Sequence, residues 1–321
     1  MSIIRKLYPV LAFLTVFAAL VSFPQSASAQ SCTTTVTAVS FGNADVTAAT
    51  PTDTTAELKV SCSGYAAGAK ILACPALGAG SGGVVAGRRA MLRFSGSETL
   101  AYELYANSGR TQVWGSTEVP QTIITNQSGA GEATATIFAR VFGGQSTVSV
   151  GSYSSTFSGS DVTVRYGLQT GSETCASTLT GTTTASFTVT ATVTPQCTLT
   201  TSNINFGNVG ALSNPVTASG TVTVRCTSNA GYTISMDGGN AKSDDPTKRW
   251  MGGTTPQTGV SYGLYQNSQY SLPWGNTPGL TKLDIGSGSN QTFTVFGRTN
   301  PSTITPPANI YKDTVIVTVT Y

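Results

Sequence analysis

Along residues 184 to 194, "TASFTVTATVT", apolar and polar side chains alternate without a break. Ala185, Phe187, Val189, Ala191 and Val193 fall on one face, and threonines with Ser186 fall on the other. A two-residue period predicts a half-buried strand. "DTVIVTVTY", residues 313 to 321, repeats the pattern with Val315, Val317, Val319 and Tyr321 inward. Shorter alternating runs, among them "LKVSCS", "TIFARV" and "DVTVRY", are separated by Gly, Asn and Pro turns. No convincing helical period follows the first 30 residues, so the pattern predicts an all-β chain.

The runs occur twice. "CTTTVTAVSFGN" from Cys32 matches "CTLTTSNINFGN" from Cys197, and "LKVSCS" through Cys62 matches "VTVRCT" through Cys226. "YELYANSGRTQVWG" at 102–115 lies 160 residues before "YGLYQNSQYSLPWG" at 262–275. Such a repeat predicts two homologous domains, each an immunoglobulin-like β-sandwich, with an up-and-down barrel as the alternative. The expected boundaries are 30–194, including the strand at 184–194, and 195–321. A bridge belonging to the shared fold should recur in both copies, which pairs Cys32 with Cys62 and Cys197 with Cys226. Elimination leaves Cys74 with Cys175.

Residues 1–29 read differently. Arg5 and Lys6 precede an apolar stretch that ends in "SASA", the layout of a secretory signal peptide cleaved after Ala29. Without Arg5 and Lys6, 15 basic residues face 14 acidic ones, a balance that excludes a nucleic-acid footprint or a polybasic membrane patch. An even number of cysteines fits an oxidising compartment.

Counting strands separates the two copies. The 184–194 strand follows the last repeated strand of the first copy and is expected to fold back beside it and complete that sheet. No equivalent follows Tyr321, so the second sandwich is expected to lack its final strand. Its edge at Val315, Val317, Val319 and Tyr321 would then accept a strand from another polypeptide. Cys32 stands close behind the expected cleavage site, so this subunit is expected to have no strand of its own to give and to occupy one end of a head-to-tail polymer.

Catalytic chemistry finds little support. The chain has no His, all six Cys are expected in bridges, and no cofactor or metal site is predicted. Asp244 and Asp245 read as a solvated turn, and "GAGSGG" at 78–83 as a flexible loop. Trp114 and Trp274, Tyr102 and Tyr262, and Tyr105 and Tyr265 fall at equivalent places and read as scaffold. Arg88, Arg89, Lys248 and Arg249 read as solvated scaffold charges. Apolar loop residues present only in the first copy are the candidate adhesive loops: Leu77, Val84 and Val85, then Val119, Pro120, Ile123 and Ile124. The competing reading places Ile123 and Ile124 in the core.

The repeated "C…NFG" opening, the later cysteine and the closing "VTVTY" resemble the spore coat protein U domain of archaic chaperone-usher pilus subunits, over essentially all of residues 30–321. Two such domains behind a signal peptide resemble the tip adhesin of those pili. The resemblance implies a periplasmic chaperone that lends a strand, an outer-membrane usher, and an adjacent pilin subunit that supplies an N-terminal donor strand. It also implies an abiotic or host surface bound by hydrophobic loops of the first domain, biofilm formation, and a place at the extracellular pilus tip. A structural subunit without adhesive role and a secreted carbohydrate-binding module are the alternatives.

Overall fold

A computed structural model describes residues 29–321 apart from Thr254 and Pro256. The signal peptide expected at residues 1–29 falls, but for Ala29, outside them. The chain is all-β, as its alternating pattern predicts. Its first thirteen strands are β1 (Ser31–Val36), β2 (Val39–Ala44), β3 (Thr52–Ser63), β4 (Lys70–Leu77), β5 (Val84–Val85), β6 (Arg88–Arg93), β7 (Thr99–Tyr105), β8 (Gln121–Ile124), β9 (Gly131–Val141), β10 (Gly151–Phe157), β11 (Val162–Leu168), β12 (Gly181–Thr184) and β13 (Phe187–Val193). Eight more follow: β14 (Cys197–Thr201), β15 (Thr217–Cys226), β16 (Gly231–Met236), β17 (Arg249–Met251), β18 (Val260–Tyr265), β19 (Lys282–Ile285), β20 (Gln291–Thr299) and β21 (Val317–Thr320).

The sheets divide at Thr194–Gln196. Before it, one sheet runs β1-β3-β9-β7-β6-β10-β13-β2, with β5 on β6, and packs on β12-β11-β4-β8. After it, β14-β15-β20-β18-β17 packs on β19-β16-β21. Each pair encloses its own apolar core, with Trp114 in one and Trp274 in the other, both 1% exposed. The two indoles donate to equivalent carbonyls, Trp114 to Pro75 at 3.2 Å and Trp274 to Ile234 at 3.1 Å. Cys32 is bridged to Cys62 and Cys197 to Cys226, each directly across a β-ladder, which places the sulfurs within bonding reach. Cys74 of β4 is bridged to Cys175 beyond β11.

The strand at 184–194 takes a different course from the one its sequence position suggests. Only Gly181–Thr184 lies beside β11, while β13 crosses to the other sheet and runs between β10 and β2. Two strands of a ribbon, β10 with β11 and β12 with β13, change sheets together at the 3-10 turn Gly159–Asp161 and at Ala185–Ser186. Alternation fixes which side chains share a face; it does not say which sheet receives the strand. Phe187, Val189, Ala191 and Val193 are buried, Ala185 is half-buried, and the Phe187 ring stacks on Phe157 at 4.4 Å.

The modules meet at a short clasp. The Gln196 amide donates to Thr227 Oγ1 at 3.0 Å, and the Thr227 amide returns a bond to the Gln196 carbonyl at 2.9 Å. Beside it the Val150 amide donates to the Ser228 carbonyl, and the Asn229 side-chain amide donates to Ser149 Oγ at 2.7 Å. Val150 itself packs on the core of the second module.

Because β13 fills the first core, Phe187→Ala is expected to destabilise that module by about 3–5 kcal/mol. Urea unfolding of the disulfide-intact protein, followed by hydrogen exchange at β10 and β2, checks this, with β15 and β20 left unchanged.

Candidate functional site

The second module repeats the walls around β13 but not the strand. In the first, Val39 and Phe41 of β2 are buried against it. Their counterparts Ile204 and Phe206 are only half-buried and pair with no strand among the described residues. The wall is nevertheless in place: Phe206 meets Tyr262 edge-on at 6.1 Å, as Phe41 meets Tyr102 at 6.4 Å. Local sequence accommodates the larger Ile204. Ala56 and Ala139 of the first module give way to Gly220 and Gly297, where a Cβ would approach the Ile204 side chain to 2.7 and 3.2 Å.

The opposite wall is the closing segment. Val315, Val317 and Val319 are half-buried against the second core, and Tyr321 is 51% exposed. The first-module counterparts of the three valines, Phe157, Val162 and Val164, are completely buried. β21 pairs with β16 on one side; on the other, where β12 covers β11 in the first module, no described residue pairs with it. The slot therefore runs between residues 204–208 and the free edge that reaches up to Thr320. Its floor is apolar, and its rim carries unpaired backbone groups.

Each module also buries an arginine, a correction to the expectation of solvated charges. Arg89 is 4% and Arg249 0% exposed. A guanidinium carries five donors in a fixed fork, enough to satisfy a cluster of turn carbonyls. Arg89 donates to the carbonyls of Gly78, Leu77 and Trp114, and Arg249 to those of Asp237, Pro246, Met236 and Trp274. Arg89 also forms a buried ion pair with Glu103. Arg249 has no such carboxylate on the neighbouring strand, because Gly263 occupies the position of Glu103.

The seven candidate adhesive residues do not form one patch. Leu77 and Ile123 are core residues, 1% and 0% exposed. Leu77 ends β4, a strand covered on both faces, and Ile123 sits opposite the buried Ile71. Val84 and Val85 are 60% and 47% exposed on a two-residue hairpin whose turn, Ala86–Gly87, takes positive φ at both positions. Ile124 is 62% exposed, Pro120 exposed and Val119 half-buried. Ile124 stands opposite Lys70 at the start of β4, and the Val84 hairpin follows its end. The length of that strand separates them. Val113, 49% exposed, was not singled out by the sequence; it flanks a cleft of roughly 460 Å³ that also touches Val84 and the Arg89–Glu103 pair. Phe94, 87% exposed, was likewise missed, since neither a repeat nor a loop motif marks it.

Cys74, Glu118 and Cys175 converge, but the two sulfurs are bonded to each other and Glu118 is held by Arg165, so this is not the donor set of a metal centre.

The Spore Coat Protein U domain matches the chain twice, over residues 16–160 and 183–318. No curated protein matches it. Among solved structures, the CsuC–CsuE chaperone–tip adhesion subunit pre-assembly complex from archaic chaperone-usher Csu pili of Acinetobacter baumannii contains a similar chain. The likeness has 18% identity and a TM-score of 0.55, over 91% of this chain and 100% of that one, and at this identity it speaks to the fold. The CupB6 tip adhesin from Pseudomonas aeruginosa follows at 13% identity and a TM-score of 0.36, over 85% of this chain and 87% of that one.

Removing the counter-charge while leaving Arg89 buried is expected to destabilise the first module. Glu103→Gln should cost about 3–5 kcal/mol in chemical unfolding.

Proposed function

The chain belongs to the Spore Coat Protein U domain family, and on that footing we propose that it is the tip subunit of an archaic chaperone-usher pilus. Residues 30–194 form its adhesive domain and residues 195–321 its strand-accepting domain. The open slot of the second module carries this reading. Its counterpart in the first module is filled by the chain's own β13, which supports an extended segment with alternating apolar residues as the missing piece. Such a segment would run parallel to residues 204–208 and antiparallel to the closing segment, as β13 runs beside β2 and β10. Each large side chain it buries would contribute about 1.5–3 kcal/mol before ordering costs, and its backbone would satisfy the rim.

The segment comes first from a periplasmic chaperone and then from the N-terminus of the adjacent pilin subunit, at an outer-membrane usher. The protein thus passes through the periplasm to the cell surface. The first module, closed by its own strand, faces outward. There the exposed Val84, Val85 and Ile124 offer apolar contacts to abiotic or host surfaces and support biofilm formation.

Two measurements test the two halves separately. A chain carrying a second copy of residues 169–194 after Tyr321, with the cysteine of that copy changed to serine so that no unpaired thiol is added, should be monomeric and stable alone, whereas the unextended mature chain should aggregate unless a chaperone is co-expressed. Equal behaviour of the two would remove the case for strand acceptance. For adhesion, combined Val84→Asp, Val85→Asp and Ile124→Asp should reduce attachment of normally piliated cells to polystyrene. Unchanged attachment would favour a structural subunit without adhesive role.

A further inference from the structure

The two modules place one carboxylate differently, buried in the first and half-buried in the second. In the first, the partner of Arg89 is Glu103, inside the sheet on β7. In the second, Gly263 stands at the position of Glu103 and, among the described residues, no carboxylate pairs directly with Arg249; the acidic groups that act on it from farther off are Asp237, Asp313, which lies on the segment that borders the slot, and Asp245.

Three contacts fix how the closing segments correspond. Ser154 lies opposite Leu92, and the Lys312 carbonyl accepts from the Gly252 amide at 2.9 Å. Ser155 neighbours the Tyr102 hydroxyl, and Asp313 Oδ2 accepts from the Tyr262 hydroxyl at 2.6 Å. The Asp161 carbonyl accepts from Gly78, and the Ile316 carbonyl accepts from Asp237. The first two pairs are 158 residues apart and the third 155, so the first module carries three extra residues, Ser158 to Ser160, at its 3-10 turn. Asp313 therefore stands where the first module has Ser155, and the pair Glu103 and Ser155 has become Gly263 and Asp313.

Asp313 is well held. Its Oδ1 accepts from the amides of Asn240 at 2.7 Å and Thr314 at 2.8 Å, while Oδ2 takes the buried Tyr262 hydroxyl. Tyr102 has no such bond: its buried hydroxyl lacks a well-formed partner. The charge of Asp313, with those of Tyr262, Asp237 and Asp245, also opposes the lowering of the Arg249 guanidinium pKa by burial.

We propose that Asp313 is a positioning residue for strand acceptance, tying the segment that borders the slot to the turn held by buried Arg249. Seating a donor strand beside residues 310–320 and ordering residues 237–249 then become one event. The inference rests on the strand-acceptance reading above. In the first module Ser155 faces Val189 of β13 and is completely buried. A donor residue at the equivalent place would cover Asp313, exclude water and strengthen its attraction to Arg249.

The test uses the chain with the second copy of residues 169–194 after Tyr321, followed by hydrogen exchange. Protection of residues 310–320 relative to the unextended chain establishes strand acceptance; its absence overturns that reading and this inference with it. Given protection, Asp313→Asn should accelerate exchange about tenfold in residues 310–316 and 237–249 together. The effect should fall to about threefold or less where Arg249→Met has removed the charge. If the Arg249→Met chain does not accumulate, Gly263→Glu, which supplies a carboxylate as β7 does in the first module, should reduce the effect in the same way. Acceleration confined to residues 310–316, or equal acceleration in every background, would overturn the role assigned to Asp313.

Discussion

Backbone amides and carbonyls on the last edge of a sandwich need partners, and the side chains facing inward beside them need cover. The first module meets both needs with one ribbon. β12 pairs with β11, β13 passes between β10 and β2, and the apolar residues of β13 are buried in the core. The second module builds the same walls, down to the Phe206–Tyr262 contact, around an open slot. The proposed role of the protein grows from this one inequality between two copies of a fold.

Much of this was legible in the sequence because it depends on short-range regularities. The two-residue period marks β13 and β21, and the repeat registers the modules closely enough to pair the cysteines and assign Trp114 and Trp274 to the scaffold. Less legible was anything decided by three-dimensional cover. Leu77 looks like the start of an apolar loop, yet it closes β4, whose inward residues and opposite face are both packed. Ile123 and Ile124 are neighbours with opposite fates, one facing Ile71 and the other solvent. The change of sheet leaves no periodic signature at Ala185–Ser186, where alternation continues unbroken, and between β10 and β11 the break at Ser158–Asp161 looks like an ordinary turn and does not say which sheet receives the next strand.

The buried arginines show how a repeat is most informative where it fails to repeat. Glu103 and Gly263 stand within the longest matched stretch, and that single difference was visible in the sequence. Its meaning required the structure, since only there do Arg89 and Arg249 prove to be buried among turn carbonyls. A guanidinium withdrawn from water needs polar contacts on every side and an anion nearby. The two modules meet the first demand alike; the second is met by direct pairing with Glu103 in one, and in the other by the more distant charges of Asp237, Asp313 and Asp245.

The clasp at Thr227 has a mechanical meaning. With Gln196 held through both its amide and its carbonyl, and Val150 pinned to Ser228 alongside, the connector cannot swivel without breaking several bonds at once. Tension along the chain would therefore load these bonds together, and the two modules would respond as a stiff lever rather than as beads on a string.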